Sequence, residues 1–410
     1  MKKYLSFVLF LLTPVLFSQT LLHFTLDDSV AQRRGPVAVR GFVLPDNASF
    51  DNTRLCLFAA SGGGSTEVSC QYDDGTLWFF ADGGSREYTL VRKPEKKMHL
   101  PLMRVRDEGD AYVLYDGKKP VLAYHYADTP PPAGADGNYH RSGYIHPLYS
   151  PSGMVLTRIQ PPDHLHHYGI WGPWTKTHID GKEVDFWNLG KGQGRVRFAG
   201  LLSVVEGDLF CSITVRQEHI YYDDARNEHT AIDEVLTVRA WHLPGDKGWL
   251  IDYLTTQSTP LTQGIMLDAY RYGGGLGYRA TEKWDRHNST VLTSEGKTRK
   301  EADATRARWC RIEGTSPAGT SGILFMDHPA NREYPEPMRV WPPDANEGRG
   351  DLFFEFCPIR LHGWHFAYGE RHTLRYRMFV YDGHSTKEEA EAYWKGFSGK
   401  ITVNINTPLP

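Results

Sequence analysis

The chain of 410 residues carries 46 Lys and Arg against 49 Asp and Glu, a formal net charge of −3, so it lacks the basic excess that nucleic-acid binding requires. Apolar residues at 40% and aromatics at 13% exclude disorder, and a mean hydropathy of −0.47 excludes a multi-span membrane protein. The combination of 11 Trp, 22 Tyr and 19 Phe with 40 Gly and 25 Pro favours short strands joined by turns, and suits sugar binding.

At the start, Lys2 and Lys3 precede an apolar run from Tyr4 to Phe17, followed by Ser18, Gln19 and Thr20. This predicts a secretory signal peptide over residues 1–19 and an exported protein, periplasmic or secreted, with no membrane span once the signal is removed. Five cysteines leave at least one thiol outside any intrachain pairing. Cys56 and Cys70, on two strand-like stretches, are the one close pair, while Cys211, Cys310 and Cys357 sit in apolar contexts that predict buried thiols.

Short alternating runs over residues 20–95 predict a small N-terminal β-sandwich of immunoglobulin-like type, ended by a linker-like stretch at 93–97. Alternation then continues through residues 96–405, which predicts a large antiparallel β-supersandwich carrying the site. It is clearest near the end, where Leu374, Tyr376, Met378 and Val380 fall on one face and Arg375 and Arg377 on the other. Ser385-Thr-Lys-Glu388 reads as a capping box opening a helix over 387–397, and residues 297–309 suggest a second helix. The fold class is therefore all-β with one firm C-terminal helix.

The densest polar and aromatic stretch runs from His140 to Asn188 and includes Pro161-Pro-Asp-His-Leu-His-His-Tyr-Gly-Ile-Trp171. In an extended segment His164 and His166 would share a face and His167 would point away. That pattern suits proton transfer by His166 or His167 together with an acid, Asp185 or Glu355. Glu355, within Phe353-Phe-Glu-Phe-Cys357, has surroundings that would raise a carboxyl pKa. No cofactor is expected; a divalent metal on His164, His166 and Asp163 is the alternative use of the same cluster. Trp171, Trp174, Trp187 and Trp341 offer flat faces for a sugar ring, with Asp163 and His164 as hydrogen-bonding neighbours. Arg141 and Lys176 would complement a carboxylate or sulfate on the ligand. Gly273-Gly-Gly-Leu-Gly-Tyr-Arg279 lacks the ending of a phosphate loop and predicts a turn with close backbone approach, bringing Arg279 towards the site. Asp327 and His328, in a loop after an apolar strand, complete the candidates.

The succession Tyr139 to Gly153, Pro162 to Trp171, Val184-Asp-Phe-Trp187, Gly274-Gly-Leu-Gly-Tyr278 and Asp327-His-Pro329 resembles a bacterial family labelled "PmoA family protein", over roughly residues 100–383. The methane-oxygenase activity in that label implies a multi-span membrane protein. After residue 17 no apolar stretch is long enough for one span, so the oxygenase function is set aside. Arg141, His146, His166 or His167, Asp268 and Glu355 also occur in an order similar to the sugar-site residues of the galactose-mutarotase-like supersandwich, which implies a sugar site.

The expected function is that of an exported carbohydrate-active enzyme that cleaves a glycosidic bond in a polysaccharide-derived oligosaccharide by His and carboxylate acid–base chemistry. Its expected partner is an oligosaccharide or polysaccharide fragment, anionic if Arg141 and Lys176 meet it, and not a nucleic acid. Sugar epimerisation, non-catalytic glycan binding and metal-dependent hydrolysis are the competing readings.

Overall fold

Alternation of apolar and polar side chains becomes sheet geometry most plainly in the strand His372–Asp382. Leu374, Tyr376, Met378 and Val380 enter the main core, while Arg375 and Arg377 face outwards, as their spacing predicts. In the computed structural model, which describes residues 19–42, 52–61, 63–81, 84–93, 100–172, 174–245 and 248–406, this strand lies inside an eight-stranded antiparallel back sheet. The expected signal peptide up to residue 18, and the linker-like stretch from residue 94, lie outside the described residues.

A second eight-stranded sheet, the front sheet, runs in the order Met338–Val340, Phe353–Phe356, Leu276–Arg279, Ile170–Trp171, Tyr144–Leu148, Lys119–His125, Ala111–Asp116 and Met103–Asp107. Ile145, Ile170, Tyr278 and Phe354 from this sheet meet Ile213, Leu236, Ile251 and Met378 from the back sheet in one apolar core. Register fixes the opposite face as well. Trp171 pairs with Gly277, Gly277 with Glu355, and Glu355 with Arg339, so these four positions share the outer side of the front sheet. A four-stranded sheet of Lys182–Val184, Thr177–Ile179, Ile265–Leu267 and Trp364–Phe366 lies apart from both.

The outer side of the back sheet is covered. Trp241, Leu250 and Phe379 pack there with Tyr393 of the helix Lys387–Ser398 and with Trp78 and Phe80. The helix is capped one residue later than the sequence suggests. Thr386 accepts from the Glu389 backbone N–H at 3.1 Å, and Ser385 Oγ donates to the Glu389 carboxylate at 3.1 Å. Residues 297–309 do not form a helix. The buried Arg299 guanidinium donates there to the carbonyls of Trp341, Gly350 and Asp351, which holds the segment as a string of turns.

Near the N-terminus a five-stranded sheet (Val403–Asn406, Gln19–Leu26, Glu87–Arg92, Leu55–Ser61, Gly64–Val68) packs against a three-stranded one (Pro36–Val39, Thr76–Phe80, Cys70–Asp73) around Phe24, Leu57, Phe79 and Leu90. The division expected at 95/96 is not respected by the C-terminus. Residues 403–406 leave the large sandwich and pair with Gln19–Leu26, because Val403 and Ile405 find an apolar surface there. Cys56 and Cys70 lie on strands of different sheets and form no disulfide with each other. Cys211, Cys310 and Cys357 are buried. Among the described residues no helix is long and apolar enough to cross a membrane.

Candidate functional site

Three loops converge outside the front sheet. The first, residues 160–169, is turned rather than extended: the His164 N–H donates to Pro161 O and the His167 N–H to His164 O, both at 2.9 Å. The turn gathers all three imidazoles, with centroids 4.7–5.6 Å apart, and overrides the two-faced arrangement that an extended segment would have imposed. The second loop, 136–140, is held by Asp136, whose carboxylate accepts from the Asn138 N–H at 2.8 Å, and by Tyr168, whose hydroxyl donates to Tyr139 O at 2.5 Å. The third, 185–192, is stapled to the second by Asn138 Nδ2 donating to Gly190 O at 3.2 Å. The two loops come close at Gly190, where a Cβ would stand 2.6 Å from the Tyr139 hydroxyl and the tyrosine ring would have to shift.

Between these loops lies a cavity of about 360 Å³ lined by Asp136, Tyr139, His166, Asn188, Gly190 and Lys191. Of the residues singled out from the sequence, only His166 lines it. Burial, reinforced by His164 and Arg279, lowers its pKa to about 3, so the imidazole is neutral near pH 7. Asp136 has one oxygen engaged by Asn138, and Lys191 is exposed. Asp136, Tyr139, Asn188 and Lys191 were missed by sequence reasoning. The one signal for them was the turn composition of Asp136-Gly-Asn-Tyr139 and Asn188-Leu-Gly-Lys191-Gly on either side of the aromatic stretch.

The other candidates take different parts. His167 is 3% exposed and packs among Phe353, Trp171 and Trp341, with centroids 5.0–5.6 Å away; burial drives its pKa far down, and it is a neutral packing ring away from the cavity. Trp171 and Trp187 are likewise buried in this cluster, and Trp341 is nearly so, so their faces meet each other and the histidines instead of an open surface. Asp185 is a staple: its two oxygens accept from the N–H groups of Trp187 and Asn188 and from the side chains of Asn188 and Thr175. Asp163, 3.0 Å from His164 Nδ1, is bound by Arg349, which also grips Asp351; Asp351 in turn takes Arg279 at 2.5 Å. Arg279 lies 4.7 Å over Trp341 and so closes a chain of charges behind the histidines. Asp163 is thus neutralised by a guanidinium, and among the described residues no group of three or more His, Cys, Asp and Glu is placed to hold a metal ion.

Glu355 is fully buried on the outer side of the front sheet. Burial raises its pKa to about 8, against one bond accepted from the Gly273 N–H at 2.8 Å, so it is a neutral acid near pH 7 with its second oxygen unpartnered. His146 turns its Nδ1 to Thr157 at 2.8 Å, and burial lowers its pKa to about 4. Arg141 is buried beneath Tyr168, with Nε and Nη1 unpartnered. Trp174 donates to Gln257 at 2.8 Å in a separate cluster with Phe366, and Lys176 stands 4.6 Å over Tyr270. Asp327 and His328 do not approach the cavity. They end a back-sheet strand, where Asp327 is buried against Asn331 and the Glu336 N–H, because the strand Gly319–Asp327 belongs to the opposite sheet.

The glycine run behaves as its composition suggests. At Gly274, φ is +72° and a Cβ would fall 1.8 Å from the Trp174 ring. Gly274→Ala should destabilise the protein by about 1–3 kcal/mol in thermal denaturation. Gly181→Ala, at φ +76° with nothing within 4 Å, isolates the backbone cost, and equal losses in the two variants would remove the packing argument.

The chain is similar to several solved structures at low identity. A galactose mutarotase-like protein from Lactobacillus casei aligns at 8% identity and a TM-score of 0.35, covering 68% of this chain and 100% of its own. A Salmonella typhimurium protein described as a mutarotase aligns at 11% identity and a TM-score of 0.37, covering 71% of this chain and 97% of its own. An alpha-mannosidase from Enterococcus faecalis aligns at 9% and 0.37, over 95% of this chain but 46% of the mannosidase. No curated protein matches the sequence. The family model that matches bears no methane-oxygenase description, unlike the label suggested by the motifs. That model spans residues 111–395, and the chain belongs to its family, described as a family of unknown function, DUF6807.

Proposed function

We propose that this protein is an exported carbohydrate-active enzyme that cleaves a glycosidic bond by acid–base chemistry at the cavity between the three loops. The observation that carries the reading is the lining itself: a neutral imidazole, a carboxylate, a phenol, an amide and an ammonium group around a space of about 360 Å³. Such a set can donate to and accept from several hydroxyls at once, as recognition of a sugar requires. Asp136 is the one carboxylate in that lining among the described residues, so the chemistry falls to a His and carboxylate pair and not to two facing carboxylates. His166 takes a proton from an attacking water held by Asp136 as the water oxygen bonds to the anomeric carbon and the glycosidic C–O bond breaks. The leaving oxygen takes up the proton that His166 releases through solvent, and Lys191 holds a neighbouring hydroxyl.

The test is release of reducing ends from a panel of oligosaccharides, with polarimetry on the free sugars. Asp136→Asn should lower turnover at least about tenfold, and Lys191→Ala should raise KM by up to about tenfold with kcat little changed. Optical rotation changing without new reducing ends would assign epimerisation instead. Glycan binding without any turnover would leave a binding protein.

A further inference from the structure

A second, larger cavity of about 840 Å³ lies on the other side of the molecule, between the outer face of the back sheet, the three-stranded N-terminal sheet and the end of the helix. Its walls are rich in guanidinium groups. Arg239 and Arg377 come from adjoining regions of the back sheet, Arg375 from the same strand as Arg377, and Arg40 from the end of Pro36–Val39. Arg377 is neutralised by Asp252, with contacts of 2.5 and 3.0 Å. The others are not matched in this way. Arg239 shares the field of Asp252 with Arg377 and has Asp73 at 3.6 Å, but its buried Nε is unpartnered. Arg40 bonds a neutral hydroxyl, Thr76 Oγ1, at 3.2 Å, and Arg375 has no acidic partner among the described residues.

Trp78 holds Arg40 and Arg239 at 5.6 and 5.4 Å from its ring, which fixes two of these cations in place before any ligand arrives. Hydrogen-bond acceptors stand beside them: Asp73, Asp74 and the Thr237 hydroxyl also line the space. Cations with unmet donors take an acid group, and neighbouring acceptors take hydroxyl hydrogens. A volume of this size suits a short oligomer more than a lone ion.

We propose that this cavity is a second saccharide site, selective for sugars that carry carboxylate or sulfate groups, with Arg40 and Arg375 meeting the acid group and Trp78 ordering the wall. The proposal stands apart from the cavity at His166 and does not rest on it.

Calorimetric titration of the full chain with a tetragalacturonate, a heparin-derived tetrasaccharide, neutral cellotetraose and inorganic sulfate tests it. At least one acidic tetrasaccharide should bind at least about tenfold more tightly than cellotetraose and than sulfate, and binding should weaken at high salt. Binding of tetragalacturonate, which carries carboxylates alone, shows that a carboxylate suffices; binding of the heparin-derived tetrasaccharide only, which carries sulfates beside its carboxylates, shows that sulfate is required. Arg40→Ser with Arg375→Ser should weaken that binding at least about tenfold, whereas His166→Ala should leave it unchanged. Arg40 is exposed, so its single variant keeps the test open if the double variant does not fold. No binding of either acidic saccharide, binding no tighter than that of sulfate, or affinity unchanged in the Arg40 variant would overturn the proposal.

Discussion

His166→Ala should reduce turnover about 10²- to 10⁴-fold while leaving glycan affinity within about threefold, the span expected when a positioned proton-transfer group is removed. The imidazole lines the cavity and packs against His164 and His167, and its burial sets its charge. With a pKa near 3 in the free protein, His166 is already the neutral base across the neutral range. Activity should therefore lack an acidic limb near pH 6.5, where an unshifted histidine would titrate. The same shift makes a statement about stability. The unfolded chain binds a proton at His166 near pH 6.5 and the folded chain only near pH 3, so stability falls as pH drops between those values. His166→Ala removes that share, and its melting temperature should drop less between pH 7 and pH 4.5 than that of the wild type. Turnover equal to wild type, or binding and turnover lost together, would remove His166 from the chemistry.

Glu234→Ala should cost about 3–5 kcal/mol, the range for stripping one partner from a buried charged network. Glu234 is 2% exposed and accepts from His219 Nε2 at 2.9 Å and from Thr255 Oγ1 at 2.6 Å. Gln257 continues the chain to Thr255 and accepts from Trp174, so one carboxylate organises polar groups across the interior. It is also an anion in the field of Arg141, which is buried and has no hydrogen bond at Nε or Nη1. Alanine at 234 would leave that cation and His219 without compensation. Burial raises the Glu234 carboxyl, but the bonds from His219, Thr255 and Gln257 outweigh it and the pKa lies below 4.5. A lowered acid contributes stability above the unfolded carboxylate pKa and loses it as pH falls through the folded value. Urea melts followed by tryptophan fluorescence at pH 7 would show the loss, with Glu234→Gln intermediate. A loss under about 1 kcal/mol in Glu234→Ala would mean that the network contributes little.

Sheet faces were legible wherever one side of a strand is buried, as at 374–380, because alternation is a local property and the core enforces it. The helix was legible too, and its cap was displaced by one residue because Ser, Thr and two glutamates in succession offer two overlapping boxes. The gathering of histidines and tryptophans outside the front sheet was legible as a region, but the part each ring takes in it was not. A tryptophan that walls a cavity and one that fills a core have the same sequence signature, and only the packing of Trp171 on Trp187, at 5.1 Å between centroids, decides it. Asp185 and Asp136 are both loop aspartates. Which one faces the cavity depends on which N–H groups each must satisfy, and that is set by backbone paths that spacing does not encode. Asp327 and His328 were drawn towards the site by residue type, although the sheet that carries them turns the other way.

The pairing of residues 403–406 with Gln19–Leu26 latches the last strand onto the first. A chain emerging N-terminus first cannot complete this sheet until residues 403–406 arrive, so that edge stays unsatisfied during synthesis. Residues 23–26 and 403–406 are therefore neighbours at one place in the fold. That shared edge belongs to the N-terminal unit and lies away from the loops that build the cavity at His166.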